Sequence, residues 1–176
     1  MSPVQQGRSL FTRDDFDRLP EGFPAQLVAG CLLKDAPPTP GHQWVAMRVA
    51  RTLIPLIGEA RVLLAPCGVA IDEHNVFSPD VVALRDPPKW DERYVGIPVA
   101  AFEVLSPSTE RRDRRQKTPR MLEAGVEEVW LLDPVQEVIE RHTREAVEVA
   151  ADDERVASRA IPRFELTPAR LFARPV

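Results

Sequence analysis

The run VAAFEVL, Val99–Leu105, constrains the fold of this chain more than any other stretch. It is nearly all apolar, as expected for a strand covered on both of its faces. Such a strand belongs in the middle of a sheet with helices packed against it. Alternation puts Val99, Ala101, Glu103 and Leu105 on one face and Ala100, Phe102 and Val104 on the other. Glu103 is therefore a carboxylate inside an apolar strand. It carries a desolvation cost unless a cation or a charged side chain faces it.

The flanking segments fit a single domain over 1–176, with helices and strands alternating around that strand. Thr12 is a candidate cap for a short helix through Leu19. AQLVAGCLL reads as two short strands turned at Gly30. Thr39 with Pro40 opens a helix to about Gly58. Ala46, Val49, Ala50, Leu53, Ile54 and Ile57 form its apolar face, and Pro55 is expected to kink it or end it early. ARVLLAP, CGVAI and VFSPDVVAL read as strands, with a polar loop over RDPPKWDERYVGIP. Thr109–Ala124 reads as a helix stopped by Gly125. VEEVWLLD is a further strand, EVIERHT and EAVEVAA a hairpin, RAIPRF a last strand and LTPARLF a closing helix. The fold class expected is α/β with α+β character, a central mixed β-sheet flanked by helices.

Composition narrows the function classes. No apolar run reaches the ~18 residues that span a bilayer. The N-terminal stretch has acids by Asp14 in place of a signal-peptide core, so a cytoplasmic location is expected, with no membrane partner. The net charge of −4 excludes a general polycation, although a local basic patch can still bind phosphates. Cys31 and Cys67 are far apart, without metal-ligand spacing, and read as buried free thiols. His74 and His142 read as surface residues and Trp130 as core.

Two acids carry the chemistry. Asp80 follows Pro79 and opens the apolar VVAL, and Glu103 lies in the next long strand. Acids on adjacent strands can converge on a hard cation such as Mg²⁺, with water and phosphate completing its shell. The alternative is that Asp80 is a turn residue and Glu103 the partner of an arginine. Lys117 bears on that choice. The chain has only three lysines, Lys34, Lys89 and Lys117, among 23 basic residues. Asp113 and Lys117 are four apart and share a helix face. That helix follows the Glu103 strand through SPST and must pack back near it. An ammonium is a compact point charge able to stabilise charge on a phosphorane. Pro119, two residues on, can re-aim it.

SPDVVAL followed by AFEVLSPSTERRDRRQKTPRMLEAGVEEVWLLDP resembles the Uma-two family of restriction endonucleases, within the PD-(D/E)XK nuclease superfamily. Further points of likeness are His42 at the start of the long helix, Asp133-Pro134 and the terminal LTPARLF. The resemblance implies a restriction-endonuclease-like core and hydrolysis of DNA by a single domain. A homodimer is expected, since two sites cut both strands of a duplex most directly. It implies Asp80, Glu103 and the Val104 carbonyl as ligands for Mg²⁺, with Mn²⁺ able to substitute. Asp80, Glu103 and Lys117 would be the catalytic set, with Asp113 supporting Lys117. The superfamily's strand lysine would fall at 105, where this chain has Leu105; Lys117 supplies it from the helix. Gln26 and Cys31 stand where the family has acids, and Gln26 and His42 are accessory candidates. Met121 replaces a tyrosine, and Val129-Trp130 a Tyr-Trp pair. Arg111, Arg112, Arg114 and Arg115 would contact DNA phosphates. The other reading is a nuclease-fold module that binds DNA or a protein without cutting.

Overall fold

A computed structural model describes residues 10–174. Most of the N-terminal stretch read for a leader, residues 1–9, lies outside it. Thr12 caps α1, Arg13–Asp17, through a capping box with Asp15. Strands β1, Ala25–Val28, and β2, Cys31–Lys34, form the expected hairpin, with Gly30 at φ 71°. Helix α2 spans Pro40–Ile57, capped by the Thr39 hydroxyl. It runs past Pro55, whose missing N–H falls in the last turn. Its buried face is Val45, Ala46, Val49, Ala50 and Leu53. Ile54 is exposed, because at ~100° per residue it lies well round from the centre of that face.

Next come β3, Val62–Leu64, β4, Gly68–Asp72, β5, Asn75–Phe77, and β6, Val81–Ala83. VFSPDVVAL is thus two strands and not one. Pro79 cannot donate to a ladder, and the chain changes sheets at Ser78–Asp80. A short β7, Tyr94–Val95, forms within the polar loop and pairs parallel with β4. The central β8 is Ala100–Val104, and β9, Glu128–Asp133, runs parallel to it. The hairpin β10, Val138–His142, and β11, Val147–Ala151, follows. RAIPRF is not a strand: Pro162 lies in a turn, between the two-residue β12, Val156–Ala157, and β13, Glu165–Leu166. The closing α5 is Pro168–Phe172.

Two large sheets and a small two-stranded one, β12-β13, result where one sheet was expected. The five-stranded sheet has the order β2-β1-β5-β4-β7 and the six-stranded sheet β11-β10-β9-β8-β6-β3. Helix α2 covers one face of the larger sheet. There Val49 and Leu53 join Phe102, Val104, Trp130 and Leu132 in the main core. Trp130 is fully buried, stacked on Phe102 and edge-on to Phe164. The other face is covered by the segment after β8, where Met121 packs on Ala101, Leu105, Val129 and Leu131. Phe77 and Val28 of the smaller sheet close that layer. Cys67 is buried, which pushes its thiol up to about 11, whereas Cys31 is exposed on the outermost strand β2. His142 is half-buried against Glu140 and is not a surface residue.

Candidate active site

The site forms at the seam between the sheets. β6 and β8 are antiparallel, with Val81 opposite Phe102, so continuing the register puts Asp80 opposite Glu103. Asp80 is pinned from two sides. His42 Nε2 lies 2.9 Å from Asp80 Oδ1 and donates to it, since a carboxylate can only accept. The Val104 N–H donates to Asp80 Oδ2 at 2.7 Å. His42 therefore faces the site, brought there by the capped start of α2.

The helical segment after β8 has three parts: α3, Glu110–Arg112, a π-helical turn over Asp113–Lys117, and α4, Thr118–Ala124. Pro119 explains the wide turn. It has no N–H and its ring crowds the carbonyl four residues back. The Thr118 N–H and hydroxyl both donate to the Asp113 carbonyl, five residues back. Both Asp113 and Lys117 are turned inward, and Gly125, at φ 108°, stops the helix in the left-handed region.

Lys117 is 1% exposed. Its Nζ lies 2.5 Å from Glu103 Oε1, 3.5 Å from Asp113 Oδ1 and 5.8 Å from the centre of the Phe77 ring. Glu103 Oε1 and Asp113 Oδ1 are both buried, and the Lys117 ammonium lies close to each. Burial pushes the Glu103 carboxyl well above the usual carboxylate range. Lys117 opposes that shift, while Asp113 and Asp80 add to it. Burial also disfavours the Lys117 ammonium, but Glu103 and Asp113 outweigh it and hold its pKa above the usual value.

The residues present fit a hard cation: two adjacent carboxylates, one of them buried with a single ammonium against it, at a strand end that also carries the Val104 carbonyl. Among the described residues no three His, Cys, Asp or Glu side chains gather as a metal-binding group. The protein's share of the shell is then small, as is usual for Mg²⁺.

The accessory and basic residues divide. Gln26 is buried, and both ends of its amide are used. Nε2 donates to Asp35 at 3.0 and 3.1 Å, and Oε1 accepts from the Ser78 N–H at 2.9 Å. Asp35, which sequence reasoning passed over, also lies 3.7 Å from Arg112. Only its place just after β2 could have pointed to it. Arg112 lies 3.8 Å from Asp113, so alternating charges run Asp35, Arg112, Asp113, Lys117, Glu103. Arg114 is held by Glu110 at 3.0 Å, by Glu140 and by Asp133 at 3.9 Å. Arg112 and Arg114 thus brace the π-helical turn, and Arg111 and Arg115 present exposed side chains. A shallow cleft of about 480 Å³ lined by Gly125–Glu128, Thr143–Glu145 and Arg159–Ala160 lies at the opposite end of the strands from Glu103 and contains none of these acids.

The order of elements, the seam and the inward lysine frame the site. The sequence model of the Uma2 family, described as "Putative restriction endonuclease", matches residues 13–169, and the chain belongs to this family. Among solved structures it is similar to one titled a "putative nuclease belonging to DUF820" from Anabaena variabilis ATCC 29413. That likeness has a TM-score of 0.78 at 20% identity and covers 92% of this chain and 97% of the other, which shows the shared fold. No match is found among curated proteins. No helix among the described residues is long and apolar enough to cross a membrane.

Proposed function

We propose that the protein is a divalent-metal-dependent endonuclease that hydrolyses phosphodiester bonds of DNA. The observation that carries this reading is Asp80 facing Glu103 across β6 and β8 with the Lys117 ammonium against Glu103. Asp80, Glu103 and the Val104 carbonyl would hold Mg²⁺, or Mn²⁺ in its place. A cation there supplies a water of lowered pKa and neutralises phosphate charge. His42 and the Val104 N–H fix the rotation of the Asp80 carboxylate. The Lys117 ammonium stabilises charge developing on the scissile phosphate. Arg111 and Arg115 contact flanking phosphates and hold register without reading sequence. Two copies of the chain would cut both strands of a duplex.

The test is nicking of supercoiled plasmid with Mg²⁺ or Mn²⁺ by the wild type, Asp80→Ala and Lys117→Ala. Cleavage that needs the metal and falls more than about a hundredfold in both variants supports the reading, since even outer partners of a metal site can cost that much. Equal rates in wild type and Lys117→Ala contradict the role given to Lys117. One observation favours a second reading, a fold that binds DNA without cutting: the Gln26 amide is wholly engaged and offers the site no acid. Salt-dependent DNA binding without cleavage, and no thermal shift with millimolar Mn²⁺, would select it.

A further inference from the structure

Lys117 stands close to two acids, and its two contacts differ. It is 2.5 Å from Glu103 Oε1 and 3.5 Å from Asp113 Oδ1. Asp113 Oδ1 is buried without a hydrogen-bond partner, so it is an acceptor with capacity to spare. An ammonium against Glu103 holds a position that a hard cation also needs, and two cations on one carboxylate repel. We propose that Lys117 is the resting counter-ion of Glu103, that a divalent cation competes with it there, and that Asp113 receives Lys117 when the cation binds. This rests on the reading of Asp80 and Glu103 as the metal-binding acids.

Three features permit the transfer. Shortening 3.5 Å to the ~2.8 Å of a charge-assisted hydrogen bond needs less than an ångström of travel. The Phe77 ring, 5.8 Å from Nζ, offers the ammonium an aromatic neighbour in this buried layer. Arg112, the other cation near Asp113, has a second acid in Asp35, which the Gln26 amide holds by both oxygens. Arg112 can therefore release Asp113 without becoming an unpaired buried charge.

The test is calorimetric titration of the full chain with Mn²⁺ alone. Lys117→Met is expected to bind Mn²⁺ about tenfold more tightly than the wild type, and Asp113→Asn about tenfold more weakly, within the range that outer partners of metal sites command. In the Lys117→Met background, Asp113→Asn should change Kd by less than about twofold, because its role is to receive the lysine. A wild type and a Lys117→Met variant of equal Kd overturn the competition. The same tenfold loss from Asp113→Asn with and without Lys117 means that Asp113 acts on the ion directly and overturns the transfer. No Mn²⁺ binding by any of the four chains removes the metal-site reading itself, and this inference with it. Circular dichroism checks each fold. Should Lys117→Met not fold, Lys117→Gln, which keeps a donor and loses the charge, decides the same question.

Discussion

Glu103 and Glu128 are buried acids on neighbouring strands of one sheet, and their surroundings are opposites. Glu128 is 1% exposed and saturated with donors. Its oxygens accept from Trp130 Nε1 at 3.1 Å, the Ser158 hydroxyl at 2.7 Å, Arg141 at 3.2 Å and the N–H groups of Arg159 and Ala160 at 2.7 and 3.3 Å. It ties the loop before β13 to the start of β9. Glu103 is 4% exposed and has the Lys117 ammonium against Oε1 as its one close partner among the described residues. A buried carboxylate that serves the fold collects hydrogen bonds, because each lone pair left bare costs free energy. One left short of donors, with a lysine and two further acids around it, is placed to take a ligand.

The largest effect expected from this contrast is on cleavage. Asp80→Ala should lose more than about a hundredfold in rate and keep its fold, because Asp80 lies at a partly exposed strand end. The next is on stability. Arg141 keeps Glu148 and the Ala157 carbonyl in Glu128→Ala, but the Trp130 and Ser158 donors and two backbone N–H groups lose their acceptor, so the change should cost about 3 kcal/mol in urea melts. Glu103→Gln should cost clearly less, since Lys117 keeps Asp113. Equal losses would erase the contrast.

Acid and neutral pH sharpen it. The Glu140 carboxyl is pulled down to about 2, first by the hydrogen bond from His142 and then by Arg114, against the effect of burial. A folded value below the unfolded 4.5 contributes stability that is present above 4.5 and lost as the pH falls toward 2. Glu140→Gln should flatten that acid limb. Glu103 has the opposite sign: its raised value makes the folded chain hold a proton longer, so stability falls as the pH rises above 4.5. Glu103→Gln should remove that fall. The smallest effect belongs to Arg115→Ala, which should weaken DNA binding uniformly and lower the salt slope by about 1.

Much of this contrast was legible in the sequence, and for physical reasons. An acid in a continuous apolar run announces Glu103, and capping chemistry at Thr39 places His42 at a helix start. Burial of Lys117 was legible only as an oddity of composition, since its direction depends on the π-helical turn that Pro119 imposes. The split of VFSPDVVAL between two sheets was not legible, because Pro79 permits either an edge strand or a break and only tertiary pairing chooses. RAIPRF was misread for the same reason at Pro162. Arg112 and Arg114 looked like their exposed neighbours Arg111 and Arg115, because, besides the nearby Asp113 and Glu110, the acids beside them are Asp35, Asp133 and Glu140, far off in the chain. Glu128 gave no signal beyond its charge; its donors arrive from the loop at Ser158–Ala160.

The central claim is that the acid held by a lone lysine, and not the one saturated with donors, is the working one. Plasmid cleavage in Mg²⁺ by wild type and Glu103→Gln, with melting curves on the same samples, tests it most directly. The expected result is cleavage by the wild type, none by Glu103→Gln, and folded protein in both. Cleavage by Glu103→Gln at the wild-type rate would contradict it.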